Sequence, residues 1–457
     1  MTKIQSFFFT ISLCFTVLFV SSAAEATLGI IDNLPEKPGR VGRLLQAVLI
    51  NIDGRRAEVV ATQRELVALP AVNPESGGIG EDEKARWIEN WLHRQGLPPA
   101  ERVDSPDERV PAKVRPSLII RWPGSSGRTL WIVGHLDVLP PAPEALWAES
   151  PWVLRVDGDK LYGRGTQDNN QSIATGLIML QALAQERATP HLGLGLLFVA
   201  GGKSVFSDTQ SINHVLTARP DLFKPDDLIV VNDQGSDEGG LTEQAAQGVL
   251  QLKVTVQGKQ AHATQPHQGV NAVQAGAGLI QNISRLHAAL PKASSPFVPD
   301  VPIYSVTHVE AGSGVHDQIP GSFTFYLDCR FPPHYTADEL QAAVRAVADE
   351  AESGDGVVIH LERILVIPDM PHTIATAPTA HFLHQAIMDE LKVKPQTEMS
   401  AATIAAELRS HKLPVTVWFL CDSNESAAEE HASITSHIQS ARIFTRMLFY
   451  PDEPYAK

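Results

Sequence analysis

The sequence TLWIVGHLDV occupies residues 129–138 and joins an apolar run to two polar side chains that directly follow it. The run Thr129–Val133 is typical of a buried strand. His135 and Asp137 come next, at the carboxyl end where strands of α/β sheets commonly bind ligands. A His with an acid two residues later is typical of a metal ligand and the carboxylate that orients it. The stretch therefore predicts a strand that ends in His135, which is either a structural His or a metal ligand, with Asp137 as the acid beside it.

Apolar runs elsewhere in the first half of the chain predict the elements around this strand. Leu194–Ala200 and Leu228–Val231 are nearly continuous apolar runs, typical of central strands. Ile173–Leu183 carries apolar residues at helical spacing. Ser117–Trp122 is a further strand candidate, and the Pro-Gly-Ser-Ser-Gly connection after it predicts a hairpin with the strand at Thr129–Val133. This alternation of strands and helices predicts an α/β domain.

The pattern changes at about residue 247. Val249–Val256 alternates apolar and polar residues, as in a half-exposed strand, and Phe323–Leu327 is another strand candidate. Thr336 and Glu339 have the spacing of a capping box, which predicts a helix start. These features predict a second, smaller α+β domain inserted in the first.

The predicted boundaries follow from these patterns. We expect the larger domain to comprise residues 55–246 and 363–457, the inserted domain residues 247–362, and an N-terminal arm residues 25–54. The larger domain is expected to end with a helix at about 433–448.

The first 24 residues are predicted to be a secretory signal peptide. Lys3 gives a basic start, Phe7–Val20 an apolar core, and small residues follow at 21–26. An uncleaved anchor is the alternative, because residues 4–24 carry no charge. Cleavage would give a secreted, periplasmic or lumenal protein with no stable membrane span.

The composition excludes several classes of protein. The chain has 457 residues with 37 Lys plus Arg and 52 Asp plus Glu, a formal net charge of −15. This acidic balance argues against nucleic-acid binding, because no excess of cations exists to neutralise phosphates. The hydrophobic content of 43% and charged content of 19% are those of a globular chain and exclude a mainly disordered one. After signal cleavage Cys329 and Cys421 remain, and we expect two buried thiols.

Three further motifs extend the pattern that begins at His135. The sequence LYGRGTQDNN at residues 161–170 has glycines that allow a tight loop, which could present Asp168 beside His135. GKQAHATQP lies at residues 258–266, and an Ile-Pro to Arg-Phe-Pro-Pro run lies at 319–333. With these motifs, the chain resembles the zinc-dependent exopeptidase family of aminoacylase, acetylornithine deacetylase, succinyl-diaminopimelate desuccinylase and carboxypeptidase S over most of its mature length.

The resemblance implies a mixed-sheet α/β catalytic domain that holds two zinc ions. It also implies an inserted α+β lid that contributes dimer contacts, and hence a homodimer. Carried over by motif, His135 matches a ligand of one zinc, Asp168 the carboxylate that bridges both ions, and Asp137 the acid that orients the site. His262 matches the lid His that steadies the carbonyl oxygen of the substrate as charge develops.

The chain departs from the family pattern at three positions. After the strand at Leu194–Ala200 the family has two adjacent glutamates, the general base and a ligand of the second zinc; here Ser204 and Val205 stand in their places. A Ser hydroxyl cannot take a proton from water near neutral pH, and Val cannot ligate zinc. Ser426 stands where the family has its last ligating His. From Arg187 to Pro220 the only acid is Asp208, so a small shift of register does not restore the glutamates.

Two stretches of the sequence offer a candidate for the third ligand of the remaining zinc. Glu238 lies in an Asp-Glu-Gly-Gly sequence that reproduces the acidic sequence of the family. Asp233 and Gln234 directly follow a predicted central strand, and by register Gln234 stands where the family has an acid. We therefore expect one zinc, held by His135, Asp168 and a third acidic side chain. Glu238 is the preferred candidate for this third ligand. A two-zinc centre is not expected.

Three functions are compatible with this pattern. The first is a secreted relative without the two-zinc hydrolase activity that keeps a cleft for a peptide or an N-acyl amino acid. The second is a one-metal amide hydrolase or carboxypeptidase with a base recruited from Asp137 or Asp208. The third is a structural dimerisation module.

Overall fold

The computed structural model describes a chain with a large mixed sheet and a second, smaller sheet. The structure describes residues 39–202, 212–286, 300–312, 316–367, 377–400, 403–422, 424 and 427–451. The predicted signal peptide and part of the predicted N-terminal arm lie outside these residues.

The chain divides into residues 1–47 and residues 48–457, and the described part of the first unit is the beginning of helix α1. The α-helices of the described residues are α1 (Arg40–Asp53), α2 (Arg56–Val67), α3 (Asp82–Arg94), α4 (Asn170–Gln185), α5 (Ile212–Ala218), α6 (Ala272–Ile283), α7 (Ala337–Asp355), α8 (Pro378–Leu391), α9 (Ile404–Ser410) and α10 (Ile434–Phe449). The predicted final helix is confirmed as α10, which Ser433 caps by accepting a hydrogen bond from the backbone N–H of Ser436.

The large sheet has the strand order β1-β2-β6-β3-β7-β16-β8-β15 among the described residues. Its strands are β1 (Glu101–Pro106), β2 (Val114–Trp122), β3 (Thr129–His135), β6 (Gly193–Val199), β7 (Leu228–Val231), β8 (Leu241–Ala246), β15 (Gln396–Ser400) and β16 (Val415–Val417). β6, β3, β7 and β16 are parallel, and the remaining pairs are antiparallel except β8 with β15. The carboxyl ends of the four central strands therefore meet at one edge of the sheet.

Helices cover both faces of these central strands, which explains their nearly continuous apolar sequences. On one face Trp131 and Val133 of β3 pack in a buried cluster with residues of α5 and α9. On the other face α4 approaches β6 so closely that a Cβ at Gly176 would lie 2.8 Å from a methyl carbon of Leu196. The mixed-sheet α/β class predicted from the sequence is thus confirmed.

The connection between β2 and β3 is not a hairpin, and that prediction is wrong. β6 lies between the two strands, antiparallel to β2 and parallel to β3. The turn residues after β2 are compatible with a tight reversal. The two strands are separated because β6, from much later in the chain, pairs with both.

The smaller sheet has the order β11-β13-β9-β14 and is antiparallel throughout. Its strands are β9 (Gly248–Gln257), β11 (Ile303–Ala311), β13 (Ser322–Phe331) and β14 (Val358–Ile367). Helices α6 and α7 pack with it around a buried apolar cluster. The predicted capping box is present: Thr336 accepts from the backbone N–H of Glu339, whose carboxylate accepts from the N–H of Thr336. The smaller α+β unit is therefore confirmed, while its exact predicted bounds stay a prediction.

Two short sheets complete the described structure. β10 (Ala261–His262) pairs with β12 (Gln318–Ile319), and β17 (His431–Ser433) pairs with β5 (Lys160–Tyr162), which in turn pairs with β4 (Arg155–Asp157). Cys329 and Cys421 are buried free thiols, as expected. Among the residues that the structure describes, no helix combines the length and apolarity that a membrane span requires.

Candidate metal centre

Three potential metal ligands meet at the carboxyl edge of the central strands. His135 is the last residue of β3, Asp168 lies in the loop before α4, and Asp233 lies two residues after β7. One nitrogen or oxygen atom from each of them lies within 4.8 Å of the others. The Nε2 atom of His135 is 3.0 Å from Oδ1 of Asp168 and 3.7 Å from Oδ1 of Asp233. An imidazole nitrogen and two carboxylate oxygens are ligands that zinc accepts.

Asp137 fixes the orientation of the His135 ring. The Nδ1 atom lies 2.9 Å from the main-chain oxygen of Asp137 and 3.2 Å from its Oδ1 atom. Because a carbonyl oxygen can only accept, Nδ1 carries the proton and Nε2 is the nitrogen turned towards the two acids. Oδ1 of Asp137 also accepts a 2.7 Å hydrogen bond from the N–H of Gly202. These contacts are those expected of an orienting acid, and the orienting role of Asp137 stays a prediction.

The electrostatics of the group favour a cation. Burial alone would lower the pKa of His135, but hydrogen bonds to Asp137, Asp168 and Asp233 outweigh it and raise the pKa well above its ordinary value. In the absence of metal, a proton on Nε2 is therefore favoured. The same carboxylates would favour a divalent cation in its place, so the donor set fits a zinc ion.

The acid that lies close to His135 and Asp168 is Asp233, whereas the sequence favours Glu238 for this position. Asp233 follows β7 so closely that its side chain, only 8% exposed, reaches the edge of the sheet. Glu238 is exposed within the turn that the N–H of Gly239 closes on the carbonyl of Ser236. Gln234 is half-buried, and its role as a ligand stays a prediction. The structure thus places Asp233 beside His135 and Asp168, and which acid serves as the third ligand stays a prediction.

Two polar residues that the sequence reading missed support the site. Asn169 accepts from the N–H of His135 at 3.2 Å and donates to the carbonyl of Asn232 at 2.8 Å, so it ties the ends of β3 and β7 together. Lys84 is fully buried and donates to the carbonyl of Leu136 and to the Asn170 side chain, both at 2.9 Å. Burial lowers the pKa of Lys84 to about 8 against the opposing pull of nearby acids.

The other predicted site residues lie elsewhere or outside the described residues. His262 is in β10, with an exposed ring whose Nδ1 is 2.8 Å from the Thr264 hydroxyl; its role at the substrate carbonyl stays a prediction. Ser204, Val205 and Ser426 lie outside the residues that the structure describes, as does Asp208. The described chain before Ser204 ends at Gly202, where a Cβ would lie 2.3 Å from the Cβ of His135.

The buried residue His437, behind the Asp168 loop, makes the free energy of unfolding depend on pH. The Nδ1 atom of His437 donates to the carbonyl of Ser433 at 2.7 Å, and its Nε2 atom, 2.8 Å from Nε2 of Gln63, accepts from that amide. Because Gln63 also donates to the carbonyl of Thr166, a proton on the Nε2 atom of His437 would face another donor. Burial accordingly lowers the pKa of His437 to about 4.

We therefore expect acid to destabilise the protein through His437. The unfolded His binds a proton near pH 6.5 and the folded one near pH 4, so stability is full above pH 6.5 and is lost as the pH falls towards 4. At pH 5 this group should lower the free energy of unfolding by about 2 kcal/mol relative to pH 7.5. Urea unfolding of the wild type and His437→Gln at both pH values measures the difference. An equal pH dependence in the variant would contradict the assignment.

Comparisons with known proteins agree with this fold. A family model described as a peptidase dimerisation domain matches residues 244–355. A protein of Methanocaldococcus jannaschii named uncharacterized metallohydrolase is 26% identical over 414 residues, which cover 86% of this chain and 98% of that protein. A succinyl-diaminopimelate desuccinylase of Alkalilimnicola ehrlichii is 31% identical over 229 residues, 50% of this chain and 59% of the relative.

Solved structures show the same architecture. The crystal structure of human carnosine dipeptidase 1 superposes with a TM-score of 0.66, at 18% identity over 89% of this chain and 98% of that one. At this identity the likeness speaks for the fold alone. The family model and the sequence relatives confirm the family resemblance derived from the motifs.

Proposed function

We propose that this relative of the zinc-dependent exopeptidases is a metallohydrolase-like protein that binds one zinc ion and a peptide or N-acyl amino acid, without the two-zinc hydrolase activity. The observation that carries the proposal is the meeting of His135, Asp168 and Asp233 at one sheet edge. In the same chain, the sequence register places Ser204 where the family has its general base, and Val205 where the family has a ligand of the second zinc.

The chemistry expected of the site follows from its donor set. His135, Asp168 and Asp233 would hold a zinc ion, which would supply Lewis-acid polarisation of an amide carbonyl oxygen. Asp137 would hold His135 in the ligating orientation, and His262 of the inserted domain is proposed to donate to the same carbonyl oxygen. Without a carboxylate at residue 204, hydrolysis would lose a proton transfer that typically contributes about 10²–10⁴-fold to the rate.

A one-metal hydrolase remains the second candidate, and its base is the point of difference. Asp137 is poorly suited to that role because it is fully buried and its carboxylate already accepts from Gly202 and faces His135. That leaves Asp208 as the acid to test by substitution. The third candidate, a dimerisation module without ligand, lacks an account of the buried acids around His135.

We also propose that the protein is exported and that it forms a homodimer. The basic, apolar and small-residue pattern of residues 1–24 supports export and cleavage. The match of residues 244–355 to a peptidase dimerisation domain supports a homodimer formed through the inserted domain. Mass spectrometry of the intact exported chain and its mass in solution would test these two points.

A panel of dipeptides, N-succinyl amino acids and N-acetyl amino acids tests the functional proposal. Relatives named as a dipeptidase and as a desuccinylase motivate these compounds. We expect zinc-dependent, saturable binding of at least one compound in calorimetry, with amine release at least about 100-fold slower than by a two-zinc relative assayed in parallel. Turnover at the rate of the relative would contradict the loss of activity, and Asp208→Asn would then test the one-metal hydrolase.

A further inference from the structure

We propose that Glu430 is a positioning residue that holds the Asp168 loop in its ligating conformation. This inference rests on the proposed metal site. The Oε1 atom of Glu430 accepts from the backbone N–H groups of Gln167 at 3.1 Å and of Asp168 at 3.0 Å. Its other oxygen accepts from Nη1 of Arg164 at 2.5 Å. One carboxylate thus contacts the main chain of a proposed ligand and a cation in the same loop.

The main chain of Glu430 contacts the same loop. Its carbonyl oxygen accepts from the N–H of Gly163 at 3.0 Å and faces the Thr166 hydroxyl at 3.4 Å. The next residue, His431, pairs with Tyr162 where β17 meets β5. The loop from Tyr162 to Asp168 is therefore held along its length by a segment more than 260 residues later in the sequence.

Because this contact is buried, each partner in it is difficult to replace. Glu430 is fully buried and Arg164 is 2% exposed, so water is not available to replace a lost partner. A carboxylate presents acceptors on both oxygens, which suits donors on two sides. An amide in its place would direct its NH₂ group either at Arg164 or at the two backbone N–H groups, and either orientation opposes donors to donors. The loop would then shift, and the Asp168 carboxylate with it.

A second buried ion pair provides the matched control. Glu243 of β8 accepts from Arg409 of α9 at 2.6 Å, and both side chains are at most 4% exposed. β8 is separated from β3 by two strands in the sheet. Glu243→Gln therefore damages a comparable pair at a distance from His135, whereas Glu430→Gln damages the pair that holds the Asp168 loop.

Zinc affinity, measured by competition with a chromophoric chelator on metal-free protein, tests the inference. Glu430→Gln should weaken zinc binding about 10- to 100-fold, as loss of a group that orients a ligand typically does. Glu243→Gln should change it less than about twofold, although both variants should unfold at lower temperature. Circular dichroism at the temperature of the titration establishes that each variant is folded.

Each outcome decides one point. Equal zinc affinity of wild type and folded Glu430→Gln would overturn the positioning role while leaving the metal site intact. Equal weakening in Glu243→Gln would overturn it too, because general loosening would then explain the loss. If Glu430→Gln does not fold, Glu430→Asp keeps the charge but shortens the reach to Gln167 and Asp168, and it should weaken zinc binding in the same range. Failure of the wild type to bind zinc would overturn the proposed function itself, and this inference with it.

Discussion

Asp168→Asn is expected to weaken zinc binding by more than about 100-fold, beyond the range typical of residues that only orient a ligand. Asn keeps the shape of the side chain but removes the negative charge that lies 3.0 Å from Nε2 of His135. Asp233→Asn should have an effect of the same order, because it removes the third member of the group. The measurement is the same chelator competition on metal-free protein.

Glu238→Gln is the control for this prediction, because it tests the acid that the sequence alone favoured. Glu238 is exposed in the turn after Asp233, so its substitution should leave zinc affinity within about twofold of the wild type. Loss of zinc binding in Glu238→Gln together with normal binding in Asp233→Asn would show that the proposed ligand set is wrong.

Restoring the family residues is expected to produce the largest gain in activity. The triple variant Ser204→Glu, Val205→Glu, Ser426→His would return the general base and two ligands of the second zinc to the positions that the sequence register assigns. We expect amide hydrolysis to rise about 10²–10⁴-fold, the usual contribution of a general base. Amine release from the best-bound compound of the panel measures it.

A triple variant with Gln in place of both glutamates is the matched control. Ser204→Gln, Val205→Gln, Ser426→His has side chains of the same size, but neither amide can act as a base or as a carboxylate ligand. It should stay at the wild-type rate. A folded restored variant that binds two zinc ions and shows no gain would mean that more than the missing base and ligands prevents catalysis.

The fold was largely predictable because its central elements have strong local patterns. β3, β6 and β7 are buried on both faces and therefore read as continuous apolar runs, and α7 begins at a capping box that four residues define. The order of the strands was less accessible. The hairpin expected between β2 and β3 fails because β6, from a distant part of the chain, pairs with both.

Only those site residues that lie within recognisable sequence motifs could be predicted. His135 and Asp168 stand in local sequence patterns, and the structure brings them together. The choice between Asp233 and Glu238 depends on where β7 ends and how the next turn runs, which a few residues of sequence do not decide. The contacts of Lys84 and Glu430 have no local signal, since the partners of both residues are distant in sequence.

The most direct test of the account is the zinc content of the purified mature protein, after equilibration with zinc and removal of loosely bound ions. We expect one zinc per chain, lost in Asp168→Asn. Two per chain would contradict it, because Val205 and Ser426 would then not occupy the lost ligand positions, and none would contradict the assignment of a metal centre to His135, Asp168 and Asp233.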